Sequence, residues 1–178
     1  MSEELARACP TTALTFNMHT ATALLAGWIS EELDFDNEMK QHLKRTRPAL
    51  WEGMCSQHLI HSQPFSEGRS LGSTSPVNTI AVPVAGGYRV TGRKIFASLS
   101  GAADIHNVVA IVEGDRRLRL LGVPAGSEGL SVEGVWDPLG MRGTDSRNLI
   151  MNDVFVPGDN EVVPPGTNTS VSYTHLRA

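Results

Sequence analysis

The chain has 178 residues, with 15 Lys and Arg against 19 Asp and Glu and a formal charge of -4. That balance offers no basic surface to gather nucleic acid by bulk electrostatics, while 40% hydrophobic residues suffice to bury a core. The opening MSEELARACP is acidic where a secretory signal would be basic and then apolar, and no stretch has membrane-spanning length, so the expected address is the cytoplasm, with no membrane partner.

From the N-terminus to about residue 60, Ala, Leu, Met, Glu and Lys predominate. Leu14, Met18, Ala21, Leu24, Leu25 and Trp28 recur at helical spacing and predict one buried helix face. Asp34 and Asp36 are N-cap candidates for a second run, Met39, Leu43, Leu50, Trp51 and Met54, in which Pro48 should break or kink the helix. Two or three helices are expected over residues 1–60. Cys9 and Cys55 lack a Cys-x-x-Cys spacing and read as reduced thiols. His58 and His61 stand at i, i+3 near a helix end; with no third ligand at hand, they predict a polar terminus and no metal site.

Beyond His61 the texture changes to β-branched residues alternating with polar ones, the pattern of short antiparallel strands. NTIAVPVAGGYRVTGRKIFAS predicts a hairpin turning at Ala85-Gly86-Gly87, and HNVVAIV with RLRLLGV predicts another around Glu113-Gly114-Asp115. NLIMNDVFVP reads as a last strand that Pro157 ends. The β domain is thus expected over 61–164. Residues 165–178 form an irregular tail whose composition fits a cloning or assembly scar.

Three stretches could carry chemistry. In PFSEGRSLGS, Gly68 and Gly72 let backbone N–H groups approach a phosphate and Ser70 and Ser73 add hydroxyls, although a Gly/Ser-rich link is more often plain loop. In GRKIFASLSG, alternation puts Lys94, Phe96 and Ser98 on one side of a strand. An isoalloxazine ring needs an apolar or aromatic surface and donors near N1 and the C2 carbonyl, which Phe96 and Ser98 could supply; the plainer reading makes Phe96 core and Ser98 surface. In VWDPLGMRGTDSRNLIMNDVFVP, Arg142 could hold an anion, but a pairing with Asp137 or Asp145 across the turn is the commoner arrangement.

Taken together and in this order, the three stretches resemble the acyl-CoA dehydrogenase family: SEGRSLGS its Thr-Glu-Pro and Gly-Ser-Asp segment, GGYRVTGRKIFAS its Gly-x-Lys-x-Trp-Ile-Thr hairpin, and DPLGMRGTDSRNLIMNDVFVP its Leu-Gly-Met-Arg to Val-x-Val-Pro segment. The resemblance covers roughly residues 60 to 163. It implies an α+β fold in which N-terminal helices precede an antiparallel β-barrel or sandwich, as in acyl-CoA dehydrogenases, with the C-terminal helical bundle absent. It further implies FAD as cofactor: Ser66 matches the hydroxyl residue at the flavin ring, Phe65 precedes it on the same strand, Gly72 and Ser73 match the pair near the pyrophosphate, and Phe96 and Ser98 match a tryptophan and a threonine at the ring. Gly68 replaces the usual proline, one extra residue separates Glu67 from Gly72, and Thr74 stands where aspartate is common. These departures bear on the phosphate contacts more than on the ring contacts.

The implied reaction is α,β-dehydrogenation of an acyl-CoA thioester, with a carboxylate base supplied by the absent bundle, so no catalytic base is assigned to this chain. Glu67 reads as structural. An electron-transfer partner and a homo-oligomer are implied for the full-length parent. Two alternatives stay open: a flavin-dependent monooxygenase of the same fold, and a non-catalytic β-sandwich serving as a binding or scaffold module.

Overall fold

The computed structural model describes residues 1–28, 37–68, 77–114 and 118–163. Three α-helices come first, α1 (Ser2–Ala8), α2 (Pro10–Trp28) and α3 (Asn37–Trp51). The strands follow: β1 (His61–Ser62), β2 (Ile80–Val84), β3 (Gly87–Ala97), β4 (Ile105–Val112), β5 (Leu118–Pro124), β6 (Leu130–Glu133), β7 (Arg147–Pro157) and β8 (Glu161–Val163). Among the described residues no helix is long and apolar enough to cross a membrane.

Pro10 opens α2, where a missing N–H costs no helical hydrogen bond. The face of α2 turned to the interior carries small residues, Ala13, Thr22 and Ala26, whereas Leu24 is 71% exposed. Of the expected stripe, Leu14, Met18, Ala21 and Leu25 are half-buried, Leu25 against Val77, Val109 and Leu120, while Leu24 points outward and the most buried positions are the small ones. Thr22 Oγ1 accepts from the buried amides of Gln63 and, at 2.9 Å, Asn107. His19 Nδ1 accepts from the His61 backbone N–H at 3.1 Å. Pro48 does not break α3, which continues to Trp51 and passes into a π-helical turn, Glu52–Ser56. One lost bond is absorbed there, because the helix has a further turn to run on either side. The helical path has ended before His58, which takes a positive φ of 57°, and His61 lies in β1, so the two imidazoles do not share a helix face. Asp34 and Asp36 fall outside the described residues.

The strands form a single sheet in the order β6-β7-β3-β2-β4-β5-β8, with β1 added beside β4. Both expected hairpins form, β2 against β3 with Val84 opposite Gly87, and β4 against β5 with Ile111 opposite Leu118. The sheet is nonetheless mixed: β1 and β2 each run parallel to β4. The expected order of N-terminal helices and then a β domain holds, while the antiparallel barrel or sandwich expected for that domain is a mixed sheet whose path of pairing stays open between β6 and β8. Parallel pairs join segments far apart in the chain, so no turn residue announces them. β7 is followed by β8, which pairs with β5, so NLIMNDVFVP is not the last strand. Val90, Val108, Leu121, Leu149, Met151 and Val154 share one core, in which β3 and β7 meet β4 and β5.

Gly86, at φ 81°, makes the β2–β3 turn, and Gly87 opens β3 where a Cβ would stand 2.1 Å from the Val156 carbonyl oxygen. Neither strand can yield without loosening the longest ladder of the sheet. Gly87→Ala is expected to cost about 2 kcal/mol, within the range for overpacking, and thermal unfolding would read it; an unchanged melting temperature would show that the hairpin rearranges freely.

Candidate functional site

The segment leaving β1 is irregular at residues 63–68, so Phe65 and Ser66 do not lie on a strand as the sequence suggested. It is tied down by Glu67, whose side chain is 4% exposed and pairs with a Lys94 ammonium that is 0% exposed. The carboxylate also accepts from Thr79 Oγ1 at 2.6 Å, from the Thr79 N–H at 3.2 Å and from the Asn78 N–H. Lys94 also donates to the Val109 carbonyl at 2.6 Å. Burial pushes the Glu67 carboxyl up, but the hydrogen bonds from Lys94, Thr79 and Asn78 outweigh it and hold the group below the usual carboxylate range. Glu67 is thus an ionised anchor, in keeping with a structural role.

The anchor sets Ser66 beside β3: the Ile95 N–H donates to the Ser66 carbonyl at 2.7 Å. One residue later the strand departs from alternation. The register between β3 and β7 shifts between Lys94 and Ala97, and Phe96 takes a φ of 53°. This bulge turns the expected common face apart, with Lys94 buried and Phe96 60% exposed. Left-handed backbone at an aromatic residue costs about 1–3 kcal/mol and persists only where the surroundings impose it. Here the imposing contacts are the Ser66–Ile95 bond on one side and Trp136 on the other. The Trp136 ring meets Phe96 edge-on, centroids 5.9 Å apart at 88°, while its Nε1 donates to the Met141 carbonyl at 3.2 Å. Ile95, Phe96, Gly134, Trp136, Ser146 and Asn148 are among the residues lining a groove of about 250 Å3 at this place.

Behind the groove runs a chain of hydroxyls. Ser98 Oγ lies 2.8 Å from Ser146 Oγ, which lies 2.7 Å from Thr144 Oγ1, which donates to the Met141 carbonyl at 2.9 Å. Thr144 and Ser146 are buried and Ser98 is half-buried. Arg142 pairs with Asp137 at 2.8 Å, one of its two expected partners, while Asp145 is held by Arg147 at 2.8 Å.

Of the residues singled out in the sequence, Phe96 lines the groove, whereas Ser66 meets β3 through its carbonyl at Ile95 and Ser98 follows Phe96 at the strand's end, neither of them in the groove lining. Phe65 instead packs with Val77, Val109 and Leu120 in a smaller core cluster. Gly72 and Ser73 lie outside the described residues. Trp136, Thr144 and Ser146 went unassigned, although the Trp-Asp-Pro turn and the Thr-Asp-Ser cluster that hold them were visible. A second cavity of about 120 Å3, bordered by Leu50, Leu59, His61 and Asn107, shares no residue with the groove. Among the described residues no group of three or more His, Cys, Asp or Glu side chains converges as a metal would require.

Residues 65–154 match the family model for the acyl-CoA dehydrogenase middle domain. The chain belongs to the acyl-CoA dehydrogenase family. Within and around this family it is similar to the short-chain specific acyl-CoA dehydrogenase of Clostridium acetobutylicum, 25% identical over 177 residues covering 98% of this chain and 44% of that protein. It is also similar to the isobutylamine N-hydroxylase of Streptomyces viridifaciens, 28% identical over 161 residues covering 88% of this chain and 40% of that protein. Among solved structures, FMN-bound TdsC from Paenibacillus sp. A11-2 superposes with a TM-score of 0.76 at 24% identity, over 96% of this chain and 40% of that one. This family member therefore spans less than half the length of these relatives. Its fold is that of the acyl-CoA dehydrogenase family, represented by the helices and the mixed open sheet.

The groove suits a flavin in kind. A planar tricyclic ring needs an exposed aromatic or apolar wall held rigidly, and Phe96, braced by Trp136 and flanked by Ile95, is such a wall.

Proposed function

We propose that the protein is a flavin-dependent hydroxylase that uses reduced flavin and O2 to insert one oxygen atom into a small organic molecule, the second leaving as water. The observation that carries the flavin part is Phe96: a large aromatic side chain left 60% exposed at a positive φ, between two contacts that hold it there. In this reading Phe96 supplies the surface for the ring, Trp136 keeps Phe96 from turning away, and Ser66 and Ser98 contribute polar contacts at its edges. Gly72 and Ser73 serve the phosphates, and Phe65 backs the same segment from the core. Bound there, a flavin would supply two-electron redox chemistry and, once reduced, activation of oxygen. FMN and FAD share the ring, and the expected FAD is retained as one of the two forms the site would take.

One comparison favours hydroxylation over the dehydrogenation first expected. The oxygenase component of an FADH2-dependent resorcinol hydroxylase from Rhizobium sp. is 37% identical over 90 residues, against 28% over 155 residues for a putative acyl-CoA dehydrogenase of Bacillus subtilis. The electron-transfer partner then becomes a separate source of reduced flavin, and a homo-oligomeric assembly of the whole protein accompanies this reading. Dehydrogenation of an acyl-CoA is the second reading, supported by the match to the dehydrogenase middle-domain model.

Reconstitution with FMN or FAD tests both. A yellow protein that consumes O2 only with an external reductant, and whose flavin absorbance is not bleached anaerobically by saturated acyl-CoA, is expected. Bleaching by the thioester would transfer the assignment to the dehydrogenase. Phe96→Ala is expected to weaken flavin binding about tenfold through the lost aromatic contact, read by fluorescence titration; a protein that stays colourless with both flavins would remove the reading altogether.

A further inference from the structure

The second cavity lies where α3 crosses the start of β4, the end of β5 and β8, and its wall is mainly carbon, from side chains such as Leu50, Leu59, Ile105 and Val162. Set into that wall is the amide of Asn107, a residue 0% exposed. An amide nitrogen only donates and an amide oxygen only accepts. The Asn107 nitrogen directs its protons into the protein, to Thr22 Oγ1 at 2.9 Å and to His61 Nδ1 at 3.3 Å. Its oxygen is buried and has no hydrogen-bond partner among the described residues. That oxygen lies beside the space that Gly122 leaves open. Gly122 is the partner of Asn107 across β4 and β5, and a Cβ there would stand 3.4 Å from Asn107 Oδ1, 3.2 Å from Ile105 Cγ2 and 3.3 Å from the Asn160 carbonyl oxygen. All four residues line the cavity. A glycine inside a strand weakens it and marks a place where another group comes close to the backbone. The charged groups of the same wall are engaged: Arg47 donates to the Ala26 carbonyl at 2.8 Å, Asp159 pairs with Arg45 at 2.9 Å, and Glu161 pairs with Arg119 at 2.9 Å. What the cavity offers a ligand is a neutral acceptor in an apolar surround.

We propose that this cavity is a second ligand site, separate from the groove, for a small neutral molecule that carries an O–H or N–H on an apolar body and donates it to Asn107 Oδ1. The site goes beyond the flavin reading and does not depend on it. A volume of about 120 Å3 suits a single ring, since an apolar cavity of roughly 150 Å3 holds benzene. Ala49 and Asp159, both exposed, give such a molecule a way in. A phenol or a short-chain alcohol has the required size and donor. A carboxylate would set its lone pairs against the Asn107 oxygen, and an ammonium would be buried without a counter-charge. Water is the poorer occupant, because it settles in a cavity only with roughly two to four polar partners and most of this wall is carbon.

The test compares phenol with toluene, which has nearly the same outline and no donor, by calorimetric titration of the full chain. Phenol is expected to bind about tenfold more tightly although it is the less apolar of the two, because only phenol satisfies the buried oxygen. Asn107→Leu removes the acceptor, and the preference should fall to within about twofold. Gly122→Ala puts a methyl group into the site and should weaken phenol about tenfold. It serves where Asn107→Leu misfolds, since the bonds from Asn107 to Thr22 and His61 stay in place. Equal binding of phenol and toluene by the wild type, phenol binding that the folded variants leave unchanged, or a wild-type chain that takes up neither compound overturns the proposal. None of these outcomes bears on the flavin reading, which is scored with FMN and FAD.

Discussion

Replacing Lys94 with methionine is expected to destabilise the protein by about 3–5 kcal/mol, the cost of leaving a buried carboxylate without its counter-charge. Lys94 is 0% exposed and Glu67 4%, so water cannot take over when the ammonium is removed. Thr79 and Asn78 would continue to donate to the carboxylate but cannot neutralise it. The double variant Lys94→Met, Glu67→Gln should recover most of the loss, because a neutral amide tolerates burial when its hydrogen bonds are met and methionine fills a similar volume. Urea midpoints of the wild type, both single variants and the double variant give the coupling directly. Additive losses would show that the pair is not the anchor of residues 63–68 described here. If the anchor fails, the Ser66–Ile95 contact and the bulge that presents Phe96 should loosen together, so flavin affinity is expected to fall in Lys94→Met and to return in the double variant.

Acidification from pH 6.5 to 4 is expected to remove about 3 kcal/mol of stability through His106 alone. The imidazole is 1% exposed, its Nδ1 lies 2.7 Å from Ser62 Oγ, and its buried Nε2 has no partner among the described residues. Burial lowers its pKa from 6.5 to about 4. Above 6.5 the ring is neutral folded and unfolded, and nothing is lost. Between 6.5 and about 4 the unfolded chain takes up a proton that the folded chain refuses, so stability declines; below about 4 both are charged and the loss levels off. His61, lowered chiefly by burial, adds to the decline in the same direction. The Glu67 contribution has a separate window: it is complete above the ordinary value of 4.5 and fades only as pH falls through the lower folded value. His106→Asn, which keeps a side-chain acceptor near Ser62, should flatten the slope between 6.5 and 4. If its unfolding free energy falls with pH as steeply as that of the wild type, the buried imidazole is not the cause.

Much of the β domain could be read from the sequence because its signals are local. The β2–β3 turn needs Gly86 at positive φ and Gly87 under the Val156 carbonyl, and both glycines stand together between two alternating runs. β4 and β5, buried along almost their whole length, were marked instead by their β-branched and apolar runs, and β7 in part by alternation. The three family-like stretches could be ordered along the chain in the same way, and the family match over residues 65–154 agrees with them. The helices were less legible. A Leu-rich stripe suggested the buried face of α2, but its most buried positions are Ala13, Thr22 and Ala26, since close packing against polar partners selects small residues over apolar ones.

What the residues determined by themselves was the kind and order of the elements, the two hairpins, and which short stretches carry aromatic and hydroxyl groups, because turn chemistry and periodicity act over a few neighbours. Tertiary structure alone decided that the sheet is mixed and open, that Lys94 turns inward to Glu67 while Phe96 turns outward, and that Trp136 and Ser146 line the groove with Thr144 bonded to Ser146. Those outcomes depend on a bulge and on contacts between positions tens of residues apart, where a shift of one residue exchanges the inside of a strand for its outside.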